Sequence, residues 1–380
     1  MNISIVGAGH MGSAIAQVLM EHDAVSTVKI CDAHTRTLQR LEASLDSPKL
    51  RTFQVDARDE RAISSILDGS ECIVGASSPS LNPVLARTAL HVGSHFCDLG
   101  SGNTLLRNRS TLVKEAAAQA LWIVPNCGLD PGLVNMLCLS GLRQFDVPRS
   151  ARIRVGYVPL HPEPPFNFRI SWSAEKLLDD YTMPVECVVD GQAQEAEPLT
   201  GLEEIVFPKP FGAMEAFHTA SVLAPIRELA GPSLQTLDHK SIRWKGHAEQ
   251  MQFLLALGFA EDRNIDVQTH LTYRDILARR MKQRLGGDYE DAVLLRIEME
   301  GEKNGKPARL IHEMIDTYDK TRDMTAVRRS TSITAATIAM LLASGAVKKG
   351  GVSSPERIVP IDAFYEAVVK AGLPIRETWS

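Results

Sequence analysis

An apolar stretch, Ile3 to Val6, runs straight into Gly7-Ala8-Gly9-His10-Met11-Gly12, and a helical pattern follows from Ser13 to Met20. Twenty residues past Gly12, the next apolar run (Val28 to Cys31) closes on Asp32. A strand, a G-x-G-x-x-G turn, a helix and an acid at this distance constrain the N-terminal region to a dinucleotide-binding βαβ unit. Gly7 permits the tight turn, Gly9 lets backbone amides approach a pyrophosphate, and Gly12 lets the helix lie close on its strand. His10 and Met11 lie in the turn ahead of that helix, whose N-terminus carries the partial positive charge that suits an anion. Asp32 is placed to accept hydrogen bonds from ribose hydroxyls. Its charge repels a 2′-phosphate, so the pattern favours NAD over NADP. Arg36, four residues past Asp32, would reach a 2′-phosphate only if Asp32 turned away.

Strand and helix patterns alternate from there to about residue 145. Apolar runs at 3–6, 28–31, 52–55, 72–76, 95–97 and 121–124 read as strands, with helical patterns near 13–22, 34–45, 59–68, 81–92 and 109–119 between them. This alternation predicts the α/β class, a Rossmann-type doubly wound parallel sheet covered by helices on both faces. After Ala151 the style changes to proline-rich loops (Pro159, Pro162, Pro164, Pro165) and alternating strands such as Arg152–Val158 and Val293–Glu300. Asn304-Gly305 is a hairpin signal that joins Val293–Glu300 to Ala308–Thr317. The expectation is a dinucleotide-binding domain over 1–147, completed by C-terminal helices at about 331–380. A second α+β substrate domain over 148–330 would carry an open mixed or antiparallel sheet.

Composition narrows the function classes. The chain has 380 residues, of which 41 are basic and 46 acidic, for a formal net charge of −5. That balance offers no footprint for nucleic acid or for an anionic membrane. The long uncharged stretch Ser330 to Val347 is dotted with Ser330, Thr331, Ser332, Thr334, Thr337 and Ser344, and reads as a buried packing helix rather than a membrane span. Cys31, Cys72, Cys97, Cys127, Cys138 and Cys187 are scattered without a C-x-x-C pair, which speaks against a disulfide frame and points to a reducing cytoplasm. No His/Cys spacing fits a metal centre. A strand that begins at residue 2 leaves no expectation of a leader peptide.

Ligands of doubly wound sheets lie beyond the carboxyl ends of the strands, so the residues there are the first candidates. Asp56 and Ala57 follow the third strand and would flank the adenine, although Asp56 also suits a helix cap. Gly75-Ala76-Ser77-Ser78 follows the fourth, and its small residues would let Ser77 and Ser78 line the dinucleotide. Asp98-Leu99-Gly100-Ser101-Gly102 follows the fifth, near the expected nicotinamide, and Gly128-Leu129-Asp130-Pro131-Gly132 follows the sixth. Asp130 reads either as a cap or as a substrate-facing acid. In the second domain, Glu215, His218 and Thr219 fall in one short loop-like stretch, Phe211 to Thr219, while Arg243 and His247 flank Gly246. Arginine suits bidentate recognition of a carboxylate, and histidine suits proton transfer near neutral pH.

At these segments the sequence resembles the saccharopine dehydrogenase-like family, most closely its L-lysine 6-dehydrogenase branch. The resemblance rests on Gly7 to Gly12, Asp98-Leu99-Gly100, Gly128 to Gly132 and Pro162-Glu163-Pro164-Pro165. It continues through Leu177 to Thr182, Glu215 to Thr219, Gly246-His247-Ala248-Glu249 and Pro355 to Pro360. It implies a Rossmann domain that binds NAD, an inserted substrate domain, and a homo-oligomer, a homodimer or homotetramer. The implied activity is oxidative deamination of the ε-amino group of lysine to aminoadipate semialdehyde, which cyclises. One departure stands out: Asp130 occupies a position where the lysine 6-dehydrogenases tend to have alanine, and the Gly-Leu-Asp-Pro-Gly form is similar to that of the saccharopine reductases.

Hydride leaves a carbon that bears a neutral amine, so a site of this kind must first remove an ammonium proton. His218 or His247 is the expected base, with Asp98 or Asp130 holding the amine or the attacking water. Arg243 would clamp the α-carboxylate, Glu215 would pair with the α-ammonium, and Thr219 completes the substrate set. Two rivals remain open at this point. A saccharopine-type reductase would need further inward-facing arginines, which Arg152, Arg154, Arg169 and Arg243 could supply. A non-catalytic dinucleotide sensor would bind a protein partner and lose polar residues at its cleft, against the presence of His218, Arg243 and His247.

Overall fold

Strands covered on both faces must be apolar throughout. The N-terminal runs meet that condition: Ile3, Ile5, Val28, Ile30, Ile73, Val74, Phe96 and Cys97 are fully buried. The computed structural model describes residues 1–100, 109–170, 173–287 and 289–380, and the chain divides into two units. The first comprises Met1–Ser140 with Arg328–Leu373, the second Gly141–Val327 with Pro374–Ser380.

The first unit alternates β1 (Asn2–Val6), α1 (His10–Met20), β2 (Thr27–Asp32), α2 (Thr35–Ser44), β3 (Leu50–Gln54) and α3 (Glu60–Leu67). It goes on through β4 (Cys72–Gly75), α4 (Asn82–His91), β5 (His95–Asp98), α5 (Arg109–Ala118), β6 (Trp122–Val124) and α6 (Leu133–Leu142). The sheet has seven strands in the order Gly351–Val352, β6, β5, β4, β1, β2, β3, all parallel. Strand order reverses between β1 and β4, and a sheet of this kind opens its ligand crevice at such a reversal. The turns after β1 and β4 meet there, with the Ala76 amide donating to the Val6 carbonyl at 2.9 Å. α1 begins at His10, inside the glycine motif, rather than at residue 13 as the apolar periodicity predicts.

The second unit carries β7 (Val147–Pro159), α7 (Ala174–Asp180), β8 (Val185–Val189), β9 (Gln192–Ala196), β10 (Glu203–Phe207) and β11 (Gly212–His218). It continues with α8 (Ala224–Ala230), β12 (Thr236–Arg243), α9 (His247–Ala256), α10 (Tyr273–Leu285), β13 (Asp291–Lys303) and β14 (Lys306–Thr317). The main path of its sheet runs β10, β11, β12, β7, β13, β14 and Ile375–Trp379, and the β8–β9 hairpin leans on β12. β12 and β7 are parallel; the other pairs are antiparallel. Asn304 and Gly305 both take positive φ (54° and 71°), the turn that a two-residue hairpin requires. The last strand corrects one expectation. Residues 375–379 pair with β14 in this sheet instead of completing the first unit with the rest of the 331–380 segment.

The polar, uncharged stretch lies in α11 (Ala326–Ala343). Ser330, Ser332 and Thr334 are buried there, with Thr334 Oγ1 donating to the Ser330 carbonyl and Ser332 Oγ to that of Arg329, so the hydroxyls of Ser332 and Thr334 are satisfied within the helix. Among the described residues no helix is long and apolar enough to cross a membrane.

Candidate active site

In the first unit the glycine turn is shaped by two close approaches and one opening. Gly7 has φ +110°, and a Cβ there would fall 2.6 Å from the Ala76 carbonyl oxygen. A Cβ on Gly12 would fall 1.8 Å from the Gly7 carbonyl oxygen. Around Gly9 a Cβ would meet nothing within 4 Å, so no protein packing demands glycine there. That open surface is what a pyrophosphate lying against the turn would fill. The first intrahelical bond of α1 runs from the Ser13 amide to the Gly9 carbonyl, which leaves the amides of His10, Met11 and Gly12 ahead of it. Ser77 Oγ, next to the turn, is buried with no hydrogen-bond partner among the described residues. An open cradle, helix-end amides and an orphaned hydroxyl fit a dinucleotide phosphate.

Asp32 stands at the carboxyl end of β2. Its Oδ2 accepts from the Ala8 amide and its Oδ1 from the His34 amide, both at 2.8 Å. The carboxylate is thereby fixed to the glycine turn, and each oxygen retains a lone pair for a ribose hydroxyl.

Other residues expected at the cofactor take different positions. Asp56 accepts from the Arg58 amide in its own turn, while Asp59 caps α3. Ala57 belongs to the hydrophobic core, which corrects its expected place against the adenine. Ser78 Oγ bonds Ser80 Oγ at 2.9 Å. Gly128 is glycine for packing: a Cβ there would sit 2.8 Å from the carbonyl oxygen of Leu99, a cofactor candidate itself. Ser101 and Gly102 lie outside the described residues.

The two carboxylates proposed for the amine separate clearly. Asp98 is fully buried, and its Oδ1 accepts from the amides of Gly100 and Asn126, so it pins the β5 and β6 loops. This corrects its expected catalytic place. Asp130 is exposed at the tip of the turn that the Gly128 amide closes onto the Pro131 carbonyl. It is not the cap of α6, which begins three residues later at Leu133.

In the second unit the run Phe211 to Thr219 is mostly strand, not loop, and side chains alternate along a strand. Glu215 lies opposite Arg243 in the register, and His218 lies opposite Lys240. Glu215 and His218 are three residues apart and so point to opposite faces, which separates an acid and an imidazole that look adjacent in sequence.

On the His218 face, Nε2 meets Asp238 Oδ1 at 3.0 Å and Nδ1 lies 3.5 Å from Thr200 Oγ1, whose proton goes to the Glu197 carbonyl. Both ring nitrogens thus face acceptors. Asp238 also takes Arg154 Nη2 at 2.6 Å, and Glu203 bridges Arg154 and Lys240. Burial works to raise the Asp238 carboxyl, but His218, Arg154 and Lys240 outweigh it and hold it well below the carboxylate range. This is an ionic staple across β10, β11, β12 and β7. It corrects the expectation of His218 as the base.

The opposite face holds the densest chemistry. The Arg243 guanidinium is buried between the rings of Tyr157 and Phe168, its carbon 4.9 Å from each centroid. Its Nε donates to Tyr181 Oη at 3.3 Å and its Nη1 to the Ile242 carbonyl at 2.8 Å. Tyr181 Oη lies 2.9 Å from His247 Nε2. Among the described residues no ion pair reaches Arg243. Glu215, directly across the strand, instead accepts the amides of Gly246 and Ala248 at 2.7 Å each and caps α9, which corrects its expected pairing with a substrate ammonium. Thr219 is buried, with Oγ1 bonded to Ser241 Oγ at 2.8 Å.

Burial, helped by the Arg243 charge, pushes His247 down to about 3, so it is a neutral ring near pH 7 rather than the expected base. A stability consequence follows. The unfolded His247 titrates near 6.5. Between the two values the unfolded chain binds the additional proton, so the contribution is complete above about pH 6.5 and is lost as pH falls toward 3. At about 1.4 kcal/mol per pH unit, the loss amounts to roughly 5 kcal/mol. Thermal melts of His247→Gln against wild type down the acid limb should converge as pH falls. Parallel limbs would refute the neutral ring.

Tyr181 and Tyr157 are missing from the sequence-derived site. Tyr181 lies within the family-like run Leu177 to Thr182, so a signal was present; nothing local marks Tyr157. The described residues contain no cluster of three His, Cys, Asp or Glu side chains able to hold a metal.

A nucleotide cradle at the reversal of a doubly wound sheet, in a chain whose second unit carries a buried guanidinium, defines a dinucleotide-binding oxidoreductase. Residues 3–123 match the saccharopine dehydrogenase NADP binding domain and residues 128–373 the saccharopine dehydrogenase C-terminal domain. The chain belongs to the saccharopine dehydrogenase family. Among solved structures it is similar to the apo saccharopine dehydrogenase (L-Glu forming) from Saccharomyces cerevisiae, with 15% identity, a TM-score of 0.82, and coverage of 100% of this chain and 99% of that one. It is also similar to the homospermidine synthase from Legionella pneumophila, solved in complex with NAD, with 14% identity, a TM-score of 0.65, and coverage of 100% and 91%. At these identities the likeness is one of fold.

Proposed function

We propose that this protein is an NAD-dependent dehydrogenase that oxidatively deaminates the side-chain amine of lysine or a closely related amino acid to the semialdehyde, which cyclises. The observation that carries the reading is Arg243. Two aromatic faces and two hydrogen bonds hold the buried cation, and no carboxylate pairs with it directly among the described residues. That leaves the place of an ion-pair partner to a bound anion, and an amino-acid carboxylate fits the guanidinium fork.

The fate of the other arginines supports a small substrate over a saccharopine-sized one. Arg152 pairs with Glu300, Arg154 with Glu203 and Asp238, and Arg169 with Glu163. These three are engaged within the protein, which leaves one guanidinium for one carboxylate. Asp32 supports NAD over NADP, since a 2′-phosphate would approach an anchored negative charge.

When bound, the oxidised nicotinamide supplies the hydride acceptor. The chain's own work is to hold and deprotonate. The helix-end amides of His10, Met11 and Gly12 hold the pyrophosphate, and Asp32 the ribose. Asp130 is the carboxylate we assign to the amine: it fixes the nitrogen and accepts the ammonium proton, so that the lone pair can enter the forming C=N bond as hydride departs. Water then adds to that carbon and ammonia leaves. A homodimer or homotetramer in the cytoplasm is part of the proposal.

Absorbance at 340 nm with lysine, ornithine and saccharopine, each with NAD and with NADP, tests the substrate. Lysine with NAD should be turned over fastest; faster oxidation of saccharopine would replace this reading with the reductase one. Asp130→Asn should lower kcat/KM by about 10²-fold or more with NADH affinity retained. Unchanged turnover would remove Asp130 from the amine.

A further inference from the structure

The rings of Tyr157 and Phe168, each with its centroid 4.9 Å from the Arg243 guanidinium carbon, set the tilt of that plane. Rotation within the plane is set at its edges, where Nη1 donates to the Ile242 carbonyl and Nε to Tyr181 Oη. The Ile242 bond is local to β12. The tyrosine is buried and comes from the end of α7.

An Nε–H can only donate, so Tyr181 Oη accepts from it and the phenolic proton must go elsewhere. Among the described residues the acceptor bonded to that hydroxyl is His247 Nε2, at 2.9 Å, and the neutral ring has a bare nitrogen to offer. The imidazole is held in turn. It stacks on Phe217 with 9° between the planes, and its centroid lies 4.8 Å from that of Phe168 in an edge-on contact. Glu215 accepts the amides of Gly246 and Ala248, the neighbours of His247 in the chain. A line of contacts thus runs from a strand carboxylate through a helix start, an imidazole and a phenol to one edge of the guanidinium. With Nε taken, a carboxylate meets the Nη1–Nη2 end of the fork.

We propose that Tyr181 and His247 are positioning residues: the phenol, oriented by the imidazole, fixes the angle at which Arg243 offers that end to the substrate. The pair thereby sets how strongly the site prefers an amino acid to a plain diamine. This inference rests on Arg243 binding the substrate carboxylate, as proposed above.

The test compares initial rates for lysine and 1,5-diaminopentane, with NAD, in wild type, Tyr181→Phe, His247→Leu, His247→Gln and Arg243→Met. Loss of one hydrogen bond to a charged group predicts a fall of about 10- to 100-fold in the lysine-over-diamine selectivity of Tyr181→Phe, carried by KM rather than kcat. His247→Leu should shift it the same way, by less. His247→Gln, whose amide oxygen can accept the phenolic proton, should recover part of that loss. Tyr181→Phe keeps the ring and decides the matter if His247→Leu does not fold. Wild-type selectivity in Tyr181→Phe, with selectivity lost in Arg243→Met, would overturn the proposal. So would an equal loss on both amines, which marks a merely structural role. Selectivity unchanged in Arg243→Met would instead overturn the carboxylate reading, and this inference with it.

Discussion

Gly9→Val should abolish NADH binding while leaving the melting temperature close to wild type, and Gly12→Ala should do the reverse in order of cause, damaging the fold first. A side chain on Gly9 meets no protein atom within 4 Å, so it fills only the volume reserved for the pyrophosphate. We expect at least about a 100-fold loss of affinity, since the amides of α1 lose their contact with phosphate. On Gly12 the added carbon would lie 1.8 Å from a backbone oxygen, a contact that only displacement of α1 from β1 relieves. Overpacking in such a place costs about 1–3 kcal/mol or more. Differential scanning calorimetry and NADH titration on both variants separate the two effects. A Gly9→Val protein that binds NADH normally would place the nucleotide elsewhere.

Arg243→Met should lower kcat/KM for lysine by about 30- to 4,000-fold, because truncating one partner of a desolvated charge pair costs about 2–5 kcal/mol. The same variant should oxidise 1,5-diaminopentane, which lacks the carboxylate, about as well as wild type does. Stability should hold or rise: an apolar side chain of similar length replaces a buried cation that makes no direct ion pair among the described residues, Asp180 acting on it without a hydrogen bond. Lysine turnover that survives the substitution would end the carboxylate assignment.

The parallel half of the molecule is readable from residues alone, because a strand enclosed on both sides has to be apolar and the chain punctuates its ends with glycine or aspartate. The open sheet is readable only in part. Asn304-Gly305 announces one hairpin, and Asp190-Gly191, with φ of 50° and 74°, marks another that periodicity conceals. The strand after it, Gln192–Ala196, is mostly exposed and has no apolar alternation to detect. In the site, residue types identify Arg243 and His247. Their relation depends on Tyr181, 66 positions before His247 and joined to it only by folding. Asp98 misleads for the opposite reason. Its place at the end of a strand suits a ligand, but two backbone amides occupy it first.

The alternation along β11 has an evolutionary consequence. One strand presents His218 to an electrostatic clasp and Glu215 to the helix cap behind the guanidinium, with the peptide backbone as a wall between them. Substitutions on either side are insulated from the other, so the chemistry admitted near Arg243 can drift among carboxylate-bearing substrates while the clasp keeps the strands in register.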